Sequence, residues 1–426
     1  MIVLHGSFGK PIWIDEFLHF ALGSHHSTRE VWETIRQTTV NVNHGQTGFY
    51  MLLDYWLMKV FGASLLALRA PSILSTLWLL TSGFLILRTR GFGWIWMYLL
   101  VFCLMGQSTL MGYVAEARPY MPLVAASSGT LLYYLQTLES RNKLWVRLFG
   151  LCSVIWGVLM HPYFAVYWAM LWVFTYWYHC HSGNLQIGIR ALVLHLNIRL
   201  TLAGAMLFFL IGALTWMRPG PQFDLDPFQW IANDGYWNTL FDISLFQFLR
   251  PIGGIFTGLL LVSLMVYVFL PAQMKFYLKP IIPPLILIIA MLIITGLLTL
   301  VSIYRDYWIL PRQWVASIAL VAVGFVWLIA EFSRLISRLH CSIGVAVYVS
   351  TLLYVMHLVI PPGINRYKEL ENNFARLDRV VRYSQEQPLN IISPKTNDEW
   401  VALATRNIQA GGDVWPVFRT YYGLKE

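Results

Sequence analysis

Ile14-Asp15-Glu16-Phe17 sets two adjacent carboxylates near the start of a chain that is mostly apolar after its first stretch. A carboxylate beside apolar surface is suited to general-base work, because desolvation lifts its pKa toward the working pH. Two acids at the mouth of a lipid-embedded body suggest chemistry at a membrane surface. An acid pair at a helix start is also what dipole-favourable capping alone produces. A third acid, Glu116, stands two residues before Arg118 in Tyr113-Val114-Ala115-Glu116-Ala117-Arg118-Pro119-Tyr120, where the proline predicts a helix break. The two charges either seal a loop as an ion pair or serve function, and charges at membrane depth are costly enough that function is the better account.

Elements that could position these groups follow from composition. Apolar residues make up 57% of 426 positions and charged residues 12%, far from the balance of about 25% charged in soluble domains. The fold class is therefore an all-α polytopic membrane protein. Apolar runs at 70–88, 92–111, 120–138, 148–162, 163–178, 200–217, 253–270, 281–301, 313–331 and 341–360 predict about ten transmembrane helices.

The net charge of +9 is spread in short clusters between these runs, which reads as topology and excludes a nucleic-acid groove. Arg88 and Arg90, Arg141 to Arg147, Arg190 and Arg199, Lys275 and Lys279, and Arg334 and Arg338 all fall on one side of that count, which the positive-inside rule makes the cytoplasm. The opposite side receives residues 1–68, the Glu116 turn, the His161-Pro162 turn, loop 218–252, the turn at 302–312 and the tail. Residues 48–62 are apolar but short and contain Asp54 and Lys59, which predicts an interfacial helix.

Three regions result: an extracytoplasmic N-terminal loop at 1–68, a transmembrane domain at 69–360, and a small extracytoplasmic α/β segment at 361–426. In the last, an amphipathic helix at 366–387 precedes a short strand at 389–392. Met1 to Gly6 is too short an apolar run for a signal-peptide core. Cys103, Cys152, Cys180 and Cys341 show no pair spacing, and neither His25-His26 nor His179-Cys180-His181 has the partners of a metal site. No metal is expected. Loop 218–252, rich in Asp and Trp, reads equally as an acceptor flap or as an interfacial helix anchored by aromatics.

The order of Asp15-Glu16, His44 followed by Phe49-Tyr50, Phe61-Gly62-Ala63-Ser64, Ala67-Leu68-Arg69-Ala70-Pro71-Ser72 and Glu116-Ala117-Arg118-Pro119-Tyr120 resembles the GT-C membrane glycosyltransferases. The specific likeness is to the family 39-like group of protein O-mannosyltransferases and lipid A aminoarabinose transferases. It covers residues 12–125, and more weakly Tyr304-Arg305-Asp306-Tyr307-Trp308-Ile309-Leu310-Pro311.

The resemblance implies a GT-C-type bundle in a bacterial inner membrane with its site on the extracytoplasmic face. One sugar would move from a polyprenyl-phosphate donor to an extracytoplasmic acceptor by an inverting mechanism, with no cofactor beyond the lipid-linked substrate. Carried over by position, Asp15, Glu16 and Glu116 are the catalytic acids, and Arg118, Arg305 and Arg312 contact the donor phosphate. His44, His161 and Tyr304 contact substrate. A base must take the acceptor's hydroxyl proton, and the leaving phosphate needs the planar fork of arginine. His161 beside Pro162 also fits a plain interface residue.

Two features depart from the family. His44-Gly45-Gln46 replaces the usual His-Pro-Pro, and the transmembrane helix that normally precedes the acid pair has only fourteen residues to occupy. The second departure suggests a missing helix or a protein partner standing in for it. It keeps open a different class of function, a non-catalytic GT-C-like subunit acting as scaffold. A transporter is weaker, since no paired interrupted helices mark two matching halves.

Overall fold

The structure is a computed structural model that describes residues 16, 19, 23, 25–38, 48–62, 65–114, 116–138, 144–161, 163–181, 204, 279–305, 314–339, 341–361 and 364. Among these residues there are helices and no strands. In chain order they are α1 (Thr28–Thr38), α2 (Phe49–Phe61), α3 (Leu65–Thr89), α4 (Ile95–Met105), α5 (Ser108–Val114), α6 (Tyr120–Leu138), α7 (Leu144–Met160), α8 (Phe164–His181), α9 (Ile282–Arg305) and α10 (Val315–Leu339). A final helix, α11 (Cys341–Pro361), follows.

Three helices are long and apolar enough to cross a membrane, over Leu66–Thr89, Val315–Arg338 and Cys341–Pro361, while Ile95–Met105, Leu144–Met160 and Ile282–Leu297 are shorter apolar helices. The chain is a polytopic helical membrane protein. The spans expected at 200–217 and 253–270, and the α/β segment expected at 366–392, lie outside the described residues apart from helical Gly204. The run at 92–111 is not one continuous helix: it breaks at Gly106-Gln107 between α4 and α5. There Gly106 lies against α11, and a Cβ on it would stand 2.7 Å from Val359 Cγ2.

The bundle is built around α6 and α10. α6 packs on α3, α7, α8 and α10, and its sequence explains how: Ala125, Ala126, Ser127, Ser128 and Gly129 present almost no side chain, so neighbouring backbones approach closely. A Cβ on Gly129 would fall 2.1 Å from Ser153 Oγ of α7 and 2.8 Å from Trp78 Nε1 of α3. Over Val315 to Ala330 α10 carries no charge and is almost wholly enclosed, as a helix segment without a polar face must be; its charges, Glu331, Arg334 and Arg338, are confined to its last turns. α11, by contrast, keeps most of its surface exposed, which in a bilayer would be lipid-facing.

The two ends of α3 lie at opposite ends of the bundle. At one end, Gly91 takes φ 81° after α3 and closes a Schellman turn, with Phe92 N–H donating to Leu87 C=O and Gly91 N–H to Arg88 C=O. Arg88, Arg90, Lys279, Arg334 and Arg338 gather at this basic end. α3, 25 residues long, spans roughly 35 Å at the helical rise. Its other end carries the acids considered next.

Candidate functional site

Glu16, His19 and Gly23 are helical and spaced three and four apart, which places them on one face. That face is seated by three contacts. Glu16 meets α3, where Arg69 donates from Nε to Oε1 at 3.0 Å and from Nη2 to Oε2 at 2.8 Å. His19 meets α2, with Nδ1 2.6 Å from Asp54 Oδ2. Gly23 lies one turn further along α2, where a Cβ would stand 2.3 Å from Met58 Sδ. A larger residue there would push the Met58 side chain aside.

The turn between α5 and α6 completes the cluster. Ala117 N–H donates to Glu16 Oε1 at 2.7 Å, so this one carboxylate joins α3 and the Glu116–Arg118 turn. Ser72 Oγ donates to Glu116 C=O at 2.5 Å and lies 3.3 Å from Arg118 C=O, and Tyr50 Oη sits 3.1 Å from the same Ser72 Oγ. Ser72 directly follows Pro71, which removes one donor from the α3 ladder. α2, α3 and the turn are thereby stitched within a few residues.

Both side chains of the Glu16–Arg69 pair are 0% exposed. A bidentate guanidinium–carboxylate contact with a further backbone donor satisfies most of the carboxylate's acceptor capacity, which is what burial of charge demands. Asp54 is less well served, since Oδ1 accepts no hydrogen bond. Burial pushes its carboxyl up to about 7, with the His19 bond and charge opposing and the nearby Glu16 charge adding. Burial also holds the Tyr50 phenol well above its ordinary value, assisted by the charge on Asp54.

Placement of the residues expected from sequence is uneven. Glu16 is at the centre of the cluster. Glu116 is half-buried in the turn, and Arg118 is 4% exposed with its guanidinium 5.9 Å from the Tyr120 ring. His161 caps the start of α8, its Nδ1 accepting the Tyr163 N–H at 3.1 Å, and its ring lies 5.6 Å from Tyr120. Tyr304 and Arg305 fall in the last turn of α9, opposite the Lys279 end, and their side chains are not among those described. Asp15, His44 and Arg312 lie outside the described residues.

Sequence reading gave Arg69, Ser72, His19 and Tyr50 no role in this cluster, and set Asp54 with Lys59 on a polar helix face. Asp54 instead points inward, fully buried, while Lys59 is exposed. Five positions turn a helix by about 140°, which separates the two faces. The available signals were an acid inside an otherwise apolar helix and the three-four spacing of Glu16, His19 and Gly23. Among the described residues no group of three or more His, Cys, Asp or Glu side chains is placed to hold a metal ion.

No protein-family model matches this chain, and no curated protein sequence does. Solved structures do. The chain is similar to ArnT from Cupriavidus metallidurans in the apo state, with a TM-score of 0.57 at 14% identity over 94% of this chain and 82% of that one. It is similar to the same protein bound to undecaprenyl phosphate, with a TM-score of 0.56, the same identity and the same coverage. At this identity the likeness concerns the fold: the chain has an ArnT-like helical membrane architecture.

Proposed function

We propose that the chain is a membrane glycosyltransferase of GT-C type that moves a single sugar from a polyprenyl-phosphate donor to an extracytoplasmic acceptor. The observation that carries this reading is the ArnT-like fold, one of whose solved examples is bound to undecaprenyl phosphate. Supporting it, Glu16 and the Glu116–Arg118 turn, expected from sequence to act together, meet through the Ala117 N–H.

In this reading Asp15 is the base. It takes the proton of the acceptor hydroxyl as that oxygen forms a bond to the anomeric carbon, the sugar–phosphate bond breaks with inversion, and the polyprenyl phosphate leaves with the electron pair. Glu16, held by Arg69 and by the turn, orients its neighbour. Arg118, Arg305 and Arg312 supply positive charge to the phosphate, with Glu116, His44, His161 and Tyr304 around the substrates.

The test is Asp15→Asn, assayed for sugar transfer with polyprenyl-phosphate sugars in membranes. Turnover should fall about 10²–10⁴-fold, the ordinary contribution of a positioned general base, with the melting temperature unchanged. Undiminished transfer would remove Asp15 from the role. A wild-type protein inert toward every lipid-linked sugar would favour the scaffold.

A further inference from the structure

α2 carries one carboxylate, Asp54, and turns it inward. There it meets His19, a group with no part in the transfer step described above. Asp54 is 0% exposed and His19 1%, with Oδ2 and Nδ1 joined in a hydrogen bond of 2.6 Å. We propose that His19 and Asp54 are positioning residues for sugar transfer: their bond fixes the turn that carries Glu16 and, through one peptide link, Asp15. In the transferase reading, on which this inference rests, Asp15 is the base.

Glu16 and His19 are three residues apart, about 4.5 Å along a helix, yet they grip different elements. Glu16 is held by Arg69 of α3 and by the Ala117 N–H of the α5–α6 turn. His19 is held by α2. Two grips less than one turn apart fix both the height and the rotation of the residues that bear them. With Glu16 alone, the segment could pivot about one side chain. The close approach of Gly23 to Met58 sets a distance, but an apolar contact has no direction and leaves rotation open.

Stability is a poor reason for such a pair. A buried ionisable pair stabilises a fold no better than apolar side chains of the same size, and this one leaves Asp54 Oδ1 without a hydrogen bond. Direction is what apolar packing does not supply, because a hydrogen bond weakens steeply off its axis. α2 enforces the imidazole's angle a second time: the Tyr50 ring stands edge-on to it, with centroids 5.3 Å apart and planes at 86°. The Ser72 hydroxyl gives its hydrogen to the carbonyls of the Glu116–Arg118 turn, so at 3.1 Å Tyr50 Oη is the donor to Ser72 Oγ. A shift of His19 is thereby felt at both grips.

Charge also couples the pair to the acid it seats. Burial first, and the Glu16 charge after it, push the Asp54 carboxyl up, against the His19 bond and charge. The other ionisable groups around the pair, among the described residues, are Tyr50 of α2, Arg69 of α3, and Glu116 and Arg118 of the turn beyond Ser72. α1 packs on α2 and brings Arg29, Glu30 and Glu33, all exposed. α7 also packs on α2, and its one charged residue, Arg147, lies in its first turn.

Steady-state transfer from a polyprenyl-phosphate sugar, by the full chain in detergent, should separate His19→Ala from His19→Asn. His19→Ala should lower kcat about 10–100-fold, the effect of a misplacement on the order of 1 Å, with KM for the donor little changed. The acid limb of its kcat profile should move to lower pH, because a base that regains water ionises more readily. A smaller folded fraction alone would leave that limb in place. His19→Asn sets an amide N–H where Nδ1 stood and should recover most of the loss. If His19→Ala does not fold, His19→Gln, whose amide is one methylene too distant to reproduce Nδ1, takes its place in the comparison.

Hydrogen exchange at the His19 and Gly23 amides needs no donor. It should speed about tenfold in the Ala variant, the loss of one buried hydrogen bond, and return toward the wild-type rate in His19→Asn. A wild type inert toward the donor, with exchange still dependent on residue 19, would overturn the transferase reading while the seating of Glu16 stands. An active wild type whose His19→Ala variant keeps its kcat, its acid limb or its exchange rate overturns the inference and leaves the transferase reading intact. Equal losses in His19→Ala and His19→Asn overturn it too, since the bond would then not be the agent.

Discussion

The two ends of the bundle handle charge in opposite ways. At the Glu16 end, the Glu16–Arg69 and His19–Asp54 pairs are each buried, and each group has its partner within hydrogen-bond reach. At the basic end, Arg88, Arg90, Lys279, Arg334 and Arg338 face solvent or half-face it, and among the described residues Glu331 is the acid beside them. Buried charge must be matched locally because desolvation is not repaid otherwise. Charge at the rim can stay in surplus because water and lipid headgroups share the cost. The first arrangement makes a rigid scaffold for neighbouring groups; the second makes an electrostatic surface.

Removing one arginine at each end should expose this difference most sharply. Arg69→Met strands the Glu16 carboxylate in the interior and should destabilise the protein by about 3–5 kcal/mol. Arg338→Met should cost about 0.5 kcal/mol or less, since Arg338 is an exposed side chain in the last turn of α10. Thermal unfolding of the two variants in the same detergent checks both. Equal losses would mean that the ends do not differ in the way described.

A packing variant provides the next step down. Gly129→Val would drive side-chain atoms into Ser153 and Trp78, forcing α6 away from α3 and α7 at a cost of about 1–3 kcal/mol. The expected signature is a lowered melting temperature for a change that touches no charge. A melting point equal to that of the wild type would show that α6 does not pack this tightly.

The His19–Asp54 pair makes a pH prediction confined to one end. Asp54 has its folded-state pKa raised from 3.8 to about 7, so between those values the folded protein holds a proton that the unfolded chain has released. Its contribution to stability is therefore fully present below about pH 4 and is lost as pH rises through about 7. Asp54→Asn should flatten that part of the stability profile, measured as melting temperature between pH 4 and 8. A profile unchanged by the substitution would assign the dependence elsewhere.

A single hydrogen bond is tested by Tyr50→Phe. It removes the Ser72 contact while keeping the ring against His19, and should cost about 0.5–1.5 kcal/mol by denaturant unfolding. A loss above that range would show that Tyr50 carries more of the stitching than one hydrogen bond.

Much of this architecture is legible in the chain. Apolar runs of the right length announce α3, α6, α7, α8, α9, α10 and α11, and Pro119 and His161 mark turns that the structure shows. The break at Gly106 was not expected from the apolar run at 92–111, and its approach to Val359 of α11 is a tertiary contact. Nor was the direction of Asp54, since a thirteen-residue helix with one acid and one lysine reads as amphipathic until a partner such as His19 is placed against it.

By itself, the sequence determined that this is a helical membrane protein, that the long apolar runs matching α3 and α6 to α11 are helical, and that acids and arginines recur in an order like that of GT-C enzymes. These properties follow from local composition and spacing, and hydrophobic length acts on each segment separately. Only the tertiary structure decided that Glu16 is held by Arg69, 53 residues away, and by the Ala117 N–H, 101 residues away. It also decided that Arg90 is gathered with Tyr178, Lys279 and Trp327 around one cavity. A buried charge takes whichever partner the packing brings within hydrogen-bond reach, and that choice is a property of several helices at once.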